Sequence, residues 1–323
     1  MIQVKIRWLK IIKAGIKLKA SDVYLLPYGK SYLVKIRAQD RLINYHRLKF
    51  KNGIRLINFC KFYGGMNISE HRRPQLGAMR FNSDYSLRLS TVGDYQQRES
   101  MVIRIISDLS SRRLNFWLPS QIQRITKLAT DRGLILFAGP TGSGKTTTIY
   151  WLAKQLSQKS MVMTIEDPVE INEPSFLQLQ VNQAAGMGYE QLLKVGLRHR
   201  PDVFIIGEIR DSKTAEAAIQ AALSGHLVLS TVHAQSPLGV VERMRQLGVD
   251  DRYLRQTLTA VAYQRLIPDY RNQFGALLAI LDSSQLWPQE VTDHSLKGWR
   301  RSLFELVKNQ KISRETLAKY KNG

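Results

Sequence analysis

The chain has 323 residues, of which 44% are hydrophobic, and a formal net charge of +22 at pH 7. This length has room for two domains with ordinary cores. The apolar runs are far shorter than the roughly 20 residues that a membrane-spanning helix needs. Cys60 is the single cysteine, which excludes an internal disulfide and a cysteine-based zinc site. We therefore expect a cytoplasmic protein.

The positive charge is concentrated at the two ends of the chain. Residues 1–60 carry 14 lysines and arginines against two acidic residues, and residues 295–323 carry eight against two. Residues 161–250 instead carry seven basic and 11 acidic residues. Strong basicity favours nucleic acid or an anionic membrane as a partner, and the alternative is a solvated surface without a specific partner.

The first third of the chain predicts a small α+β domain. Trp8, Ile12 and Ile16 fit one face of a helix, for core packing or for an apolar membrane contact, although residues 2–6 also alternate as a strand would. Further short segments read as strands or helix edges at 21–26, 32–38 and 54–59, and as alternating strands at 86–89 and 101–106. We predict a domain at residues 1–106 and a linker at 107–119.

The rest of the chain, residues 120–323, predicts an α/β domain. Ser120 and Gln123 form a capping box at a predicted helix start, and residues 238–267 read as helical. A stripe on a C-terminal helix contains Trp299, Leu303, Leu306 and Val307. Strands are predicted at 134–138, 162–165, 203–206, 227–232 and 276–281. Strands that alternate with helices in this way indicate a mostly parallel sheet.

A phosphate-binding loop lies between a predicted strand and a predicted helix. It fits the pattern G-x-x-x-x-G-K-[ST] with Gly139, Pro140, Thr141, Gly142, Ser143, Gly144, Lys145, Thr146 and Thr147. Backbone N–H groups of such a loop surround phosphate oxygens, while Lys145 contributes positive charge and the Thr146 hydroxyl binds Mg²⁺. The alternative is a Gly- and Ser-rich turn without a ligand. The loop predicts ATP and Mg²⁺ as cofactors.

Two acidic residues follow predicted strands downstream of the loop. Glu166 ends the strand at 162–165, and Glu208 ends the strand at 203–206, with Gly207 where many phosphate-loop enzymes have Asp. Ligands bind at the carboxyl ends of strands in such sheets, so we expect these acids to hold Mg²⁺ or to orient water. The alternative for each acid is a solvated loop carboxylate. A Ser-Thr-x-His sequence ending at His233 suits the sensing of a phosphate.

The four segments 139–147, 165–170, 207–211 and 224–234 resemble, in this order, the Walker A motif, aspartate box, Walker B motif and histidine box of the type II secretion and type IV pilus assembly ATPases. Weaker similarities at 20–23, 68–81, 87–90 and 263–266 extend the resemblance over roughly residues 20–280. The resemblance implies a PAS-like N-terminal domain joined to a RecA-like P-loop motor. It also implies a homo-hexameric ring in which ATP turnover drives a polytopic membrane platform protein.

The resemblance also implies roles for individual residues. Glu208 is the Walker B acid and, with Thr146, a metal ligand, while Glu166 is the base or the water-positioning group. His226 and His233 respond to the γ-phosphate. The arginine-finger candidates are Arg80, Arg88 and Arg104.

One cysteine cannot build the four-cysteine zinc element that the large family members usually carry. A short, zinc-free form resembles the competence pilus ATPases of Gram-positive bacteria, and a retraction ATPase is also short and zinc-free. The function that we predict from the resemblance is a motor for assembly of a competence pilus in DNA uptake. We expect it at the inner face of the cell membrane, bound to the platform protein and to anionic lipid, without a specific nucleic acid. Alternatives are pilus retraction, type II or IV secretion, nucleic-acid translocation, or a scaffold that binds ATP without turnover.

Overall fold

The computed structural model describes residues 2–38, 41–107, 115–182, 185–287 and 296–323. Contacts divide the chain into two compact units, Met1–Arg112 and Arg113–Gly323. Residues 108–114 of the expected linker lie outside the described residues. The domain bounds 1–106, 107–119 and 120–323 therefore stay a prediction.

The first unit is an antiparallel sheet covered by two helices. Its elements are α1 (Ile2–Lys17), β1 (Ala20–Tyr28), β2 (Ser31–Ala38), β3 (Arg41–Lys49), α2 (Phe50–Tyr63), β4 (Gln75–Arg80), β5 (Tyr85–Gly93) and β6 (Glu99–Ser107). The strand order is β3-β2-β1-β6-β5-β4, and every neighbouring pair is antiparallel. Trp8 and Ile12 of α1 share one core with strand residues such as Leu25, Leu89 and Ile103. Residues 2–6 and 54–59 are helical.

The second unit alternates strands and helices, as the sequence predicts. Its elements are α3 (Pro119–Leu128), β7 (Gly133–Ala138), α4 (Lys145–Leu156), β8 (Val162–Glu166), β9 (Leu177–Gln180), α5 (Tyr189–His199), β10 (Val203–Ile209), α6 (Ser212–Leu223), β11 (Leu227–Val232), α7 (Pro237–Gln246), α8 (Asp251–Thr257), β12 (Leu258–Pro268), β13 (Phe274–Asp282), α9 (Ser283–Leu286), α10 (Lys297–Lys308) and α11 (Arg314–Tyr320).

The sheet of the second unit has the order β13-β12-β7-β11-β10-β8-β9. Its strands pair in parallel except β13, which is antiparallel to β12. All six residues of β7 and of β11 are buried, because helices cover both faces of a central parallel strand. The α/β fold class is confirmed. The carboxyl ends of β7, β8, β10 and β11 meet at one edge of this sheet.

Two local predictions are wrong. Residues 258–267 form strand β12 and not a helix. Apolar residues occupy both odd and even positions of this segment, so its periodicity does not separate a helix from a strand. The pairing of β12 with β7 on one side and with β13 on the other decides for a strand. The capping box is absent as well, because α3 begins at Pro119 with Leu118 as its N-cap and no side-chain cap. Ser120 then lies inside the first turn, where its hydroxyl cannot cap.

The C-terminal helices pack on the sheet through the predicted stripe. Trp299, Leu303 and Leu306 are buried, and the Trp299 Nε1–H donates to the Tyr320 carbonyl oxygen at 2.7 Å. Within the described residues, no helix is both long enough and apolar enough to cross a bilayer.

Candidate nucleotide site

The phosphate loop joins β7 to α4, and its backbone conformation requires glycine. Gly139, Gly142 and Gly144 have φ angles of 137°, 78° and 84°. A Cβ atom on Gly139 would also lie 2.3 Å from the carbonyl oxygen of Gln264. Residues with side chains rarely adopt such φ angles. The loop leads directly into the N-terminus of α4, where unpaired backbone N–H groups favour an anion.

The side chains of the loop fit a bound phosphate. Lys145 is buried, and its Nζ donates to the carbonyl oxygens of Gly139 at 2.8 Å and Pro140 at 3.0 Å. Burial lowers the pKa of Lys145, and the nearby carboxylates of Glu208 and Glu170 oppose this effect. The buried Ser143 Oγ has no hydrogen-bond partner within the described part of the chain. A cation and an unsatisfied hydroxyl beside a helix N-terminus suit the phosphates of ATP.

Gln264 supports the loop from the neighbouring strand. It lies on β12, is fully buried, and its Nε2 donates to the Ser143 carbonyl oxygen at 2.7 Å. Gln264 is not among the predicted site residues, although it lies in the segment 263–266 that resembles the family. A buried amide inside an apolar strand implies a specific hydrogen-bond partner.

Glu166 lies in a buried pocket of hydroxyl groups at the end of β8. Tyr150 of α4 donates its hydroxyl to Glu166 Oε1, and the Thr164 hydroxyl donates to the same oxygen at 2.7 Å. Gln178 Nε2 in turn donates to the Tyr150 hydroxyl at 2.8 Å. Burial raises the pKa of Glu166, while the hydrogen bonds from Tyr150 and Thr164 act in the opposite direction. A carboxylate whose pKa is raised toward neutrality is suited to accept a proton.

Glu208 lies at the end of β10 in a different environment. It forms an ion pair with Arg210, and His233 Nε2 lies 3.7 Å from Glu208 Oε2. The pairing between β10 and β11 shifts by one residue at Gly207. A Cβ atom on Gly207 would lie 3.2 Å from Glu166 Cγ. Glycine in place of the usual aspartate therefore leaves room for Glu166 beside β10.

The two histidines predicted to sense the γ-phosphate lie at opposite ends of β11. His233 follows the carboxyl end of the strand, beside Glu208. His226 precedes the strand, with its Nδ1 2.8 Å from the Pro201 carbonyl oxygen and its ring against Phe204. A strand of this length separates the two histidines by about 20 Å. Within this unit the structure brings His233 to the acidic residues but does not bring His226 there.

The three arginine-finger candidates belong to the first unit. Arg88 and Arg104 lie directly opposite each other on β5 and β6. The neighbouring Leu87 and Leu89 are buried in the core, so both arginines lie on the sheet face away from the helices. Arg104 forms an ion pair with Asp22 at 3.0 Å. Arg80 instead donates to carbonyl oxygens of its own turn, at Asn82 and Ser83.

Comparisons with known proteins agree with this geometry. Residues 3–322 match the family described as Type II/IV secretion system protein. Competence protein ComGA of Streptococcus pneumoniae is 42% identical over 307 residues, which cover 94% of this chain and 94% of that protein. Two solved structures share the fold. The ATPase DotB of Legionella pneumophila has a TM-score of 0.70 at 20% identity, covering 95% of this chain and 93% of its own. The pilus retraction motor PilT with bound ADP has a TM-score of 0.70 at 22% identity, covering 96% of each chain.

A relative at 42% identity over nearly its whole length shows the family, and the structural likeness shows the fold of a RecA-like P-loop motor. The phosphate loop and the acidic strand ends lie where such a fold binds nucleotide. The chain therefore belongs to the type II/IV secretion system protein family and is an ATPase.

Proposed function

We propose that this ATPase powers the assembly of a competence pilus in DNA uptake. The observation that carries the proposal is the 42% identity to a competence protein over 94% of both chains. The pilus retraction motor PilT and the ATPase DotB have the same TM-score, so the fold does not separate assembly from retraction or secretion.

In this proposal the residues at the carboxyl edge of the sheet share the chemistry. The N–H groups of the loop 139–147 bind the phosphates, and Lys145 contributes positive charge that neutralises the outer phosphates. Thr146 and Glu208 would hold Mg²⁺, which when bound neutralises charge on the phosphates. Glu166, held by Tyr150 and Thr164, accepts the proton of the attacking water or orients that water. His233 lies beside Glu208 and responds to the γ-phosphate.

We propose a homo-hexameric ring in which arginines reach the site of an adjacent subunit. Such a ring uses a heterologous interface, and an arginine finger supplied in trans contributes about 10³–10⁵ in rate. We favour Arg88 and Arg104, because they lie directly opposite each other on one sheet face, where Arg104 also forms an ion pair with Asp22.

A mixing experiment tests the shared site. Arg88→Ala and Lys145→Ala should each abolish turnover, since one removes the finger and the other the charge that binds phosphate. Mixed rings should recover part of the activity, because a Lys145→Ala subunit can donate its intact Arg88 to the intact loop of its neighbour. Mixtures that stay inactive although both proteins assemble would contradict an arginine supplied in trans.

The biological role is tested by complementing a deletion strain with the wild type or with Glu208→Gln. An assembly motor predicts that the Glu208→Gln strain lacks surface pili and does not take up DNA. A retraction motor predicts surface pili that persist in excess. For the nucleic-acid translocase alternative, a several-fold stimulation of purified ATPase by DNA at physiological salt would be the supporting result.

The partners in this proposal are the platform protein, further copies of the chain and an anionic membrane surface at the inner face of the cell membrane. The support is the net charge of +22, concentrated in residues 1–60 and 295–323. DNA should bind only non-specifically, through its phosphates.

A further inference from the structure

Helix α1 presents a basic side that the core of the first unit does not use. Trp8, Ile11, Ile12 and Gly15 are buried. The opposite side exposes Lys10, Lys13 and Lys17, spaced three and four residues apart as on one helical face. The helix contains five lysines and arginines and no acidic residue. Within the described residues, none of these three lysines forms an ion pair.

Large apolar side chains are exposed beside these lysines. Ile2 and Ile6 of α1 are 78% and 48% exposed. Both precede Lys10, Lys13 and Lys17 on the same side of the helix, because residues 2, 6, 13 and 17 fall within one narrow sector at 100° per residue. Of the residues predicted for core packing or a membrane contact, Trp8 and Ile12 are buried in the core, and the partly buried Ile16 packs against it. The set that we call the α1 surface consists of Ile2, Ile6, Lys10, Lys13 and Lys17, all of them exposed on one side of this helix.

We propose that the α1 surface binds the anionic headgroups of a membrane leaflet, with its apolar side chains inserted at the headgroup level. A helix with lysines on its polar face and exposed apolar side chains beside them is typical of one that lies in a membrane interface. The inference rests on the proposed function, because it names the surface through which the motor would contact its membrane.

The composition of the surface favours lipid over nucleic acid. Contacts to nucleic-acid backbones come from lysine, arginine and polar groups, and they would leave Ile2 and Ile6 in water. A lipid interface accepts both kinds of side chain, since the headgroups attract lysines and the acyl boundary buries the apolar residues. Each basic residue near an anionic leaflet contributes about fivefold in partitioning.

Co-sedimentation with vesicles tests the charged part of the α1 surface. The full chain should sediment with phosphatidylcholine vesicles that contain phosphatidylglycerol, and not with pure phosphatidylcholine. The triple variant Lys10→Gln, Lys13→Gln, Lys17→Gln should lower partitioning by about 100-fold. The matched control, Lys308→Gln, Lys311→Gln, Lys321→Gln in the C-terminal region, makes the same change in charge and should have a much smaller effect.

A second variant tests the apolar part without changing charge. Ile2→Ser with Ile6→Ser should weaken vesicle binding while the net charge stays the same. Equal losses in the two lysine triples, or no loss in the serine variant, would overturn the α1 surface. Binding to an oligonucleotide that falls with the α1 triple, while vesicle binding does not change, would overturn the lipid partner.

ATP turnover in solution separates this inference from the proposed function. The α1 triple variant should keep wild-type turnover without vesicles, which also shows that it folds. Conversely, Lys145→Ala should lose turnover and still sediment with anionic vesicles. Failure of vesicle binding with turnover intact therefore overturns the α1 surface alone.

Discussion

Glu166 and Glu208 end neighbouring strands of one sheet but lie in opposite environments. Glu166 is 3% exposed and accepts hydrogen bonds from Tyr150 and Thr164. Glu208 has 24% of its side chain exposed, forms an ion pair with Arg210 and lies 3.7 Å from His233 Nε2. Identical side chains therefore divide their roles through their surroundings. A buried acid with a raised pKa suits proton transfer, and an open carboxylate at a strand end suits a metal ion.

The largest expected effect is loss of turnover when either acid becomes an amide. Glu166→Gln should lose proton transfer and Glu208→Gln should lose support for the metal, each at about 3–4 kcal/mol of transition-state stabilisation. That corresponds to a decrease of about 10²–10³ in the rate of phosphate release. Nucleotide affinity, measured by a fluorescent ATP analogue, should stay within a few-fold of the wild type for Glu166→Gln. Near wild-type turnover in either folded variant would contradict its role.

The same pair should differ in how stability depends on pH. Because burial raises the pKa of Glu166, the folded state binds its proton more tightly than the unfolded state does. This contribution to stability is present at low pH and is lost as the pH rises through the raised pKa. Urea unfolding from pH 5 to pH 8 should therefore show a shallower loss of stability in Glu166→Gln than in the wild type. Glu208→Gln serves as the comparison variant.

The next effect concerns the hydroxyl that holds Glu166. Tyr150→Phe removes one hydrogen bond to a charged group, which is worth about 1.5–3 kcal/mol. Turnover should fall about 10–100-fold. The bond from Tyr150 lowers the pKa of Glu166, so its removal raises that pKa further. The acid limb of the pH–rate profile should consequently move to higher pH.

Tyr270→Phe is the matched control for this prediction. Tyr270 also donates its hydroxyl, to the Ile312 carbonyl oxygen at 2.9 Å, but that bond lies in the C-terminal part of the unit. Its loss should leave the pH–rate profile unchanged. A Tyr150→Phe profile that keeps its acid limb in place would show that Tyr150 only supports the fold.

How far the sequence predicts this site depends on how local each feature is. The loop 139–147 is fully local, because the glycines that permit its backbone are part of the pattern itself. Glu166 and Glu208 could be placed because they follow strands, whose carboxyl ends share one edge. The contact from Tyr150 to Glu166 could not be predicted, since it depends on how α4 packs across β8.

Other features could not be predicted because they depend on strand pairing and on side-chain contacts between distant parts of the sequence. The apolar residues of β12 lie on both of its sides, as in any buried strand, so their pattern does not separate a strand from a helix. The family resemblance implies one role for His226 and His233, whereas the extended strand β11 places them at its two ends. The need for a small residue at position 207 could not be predicted, because it depends on the Glu166 side chain, which folding places beside Gly207.

A smaller effect is expected from filling the space beside Glu166. Gly207→Ala would place a methyl group 3.2 Å from Glu166 Cγ, so the carboxylate must move by a few tenths of an ångström. Overpacking of this kind costs about 1 kcal/mol or more, and turnover should fall with it. Gly298→Ala is the control, because no described residue outside its own helix lies within 4 Å of the added Cβ, and it should stabilise by about 0.5 kcal/mol. Urea unfolding measures both, and a neutral Gly207→Ala would remove the steric reason for glycine at this position.

The smallest effect is expected at the open acid. Arg210→Ala removes the ion-pair partner of Glu208, but Arg210 is 70% exposed, and such pairs contribute about 0–1 kcal/mol. Lys154→Ala removes the partner of Glu173, whose side chain is 5% exposed, at a lysine distance of 2.8 Å. Because Glu173 would be left buried with fewer donors, Lys154→Ala should destabilise more than Arg210→Ala in urea unfolding. The Arg210→Ala difference should also shrink with added salt, since water and ions already screen Glu208. Equal losses of stability for the two variants would mean that Glu208 is as shielded from solvent as Glu173. The difference in exposure would then not explain the contrast between Glu166 and Glu208.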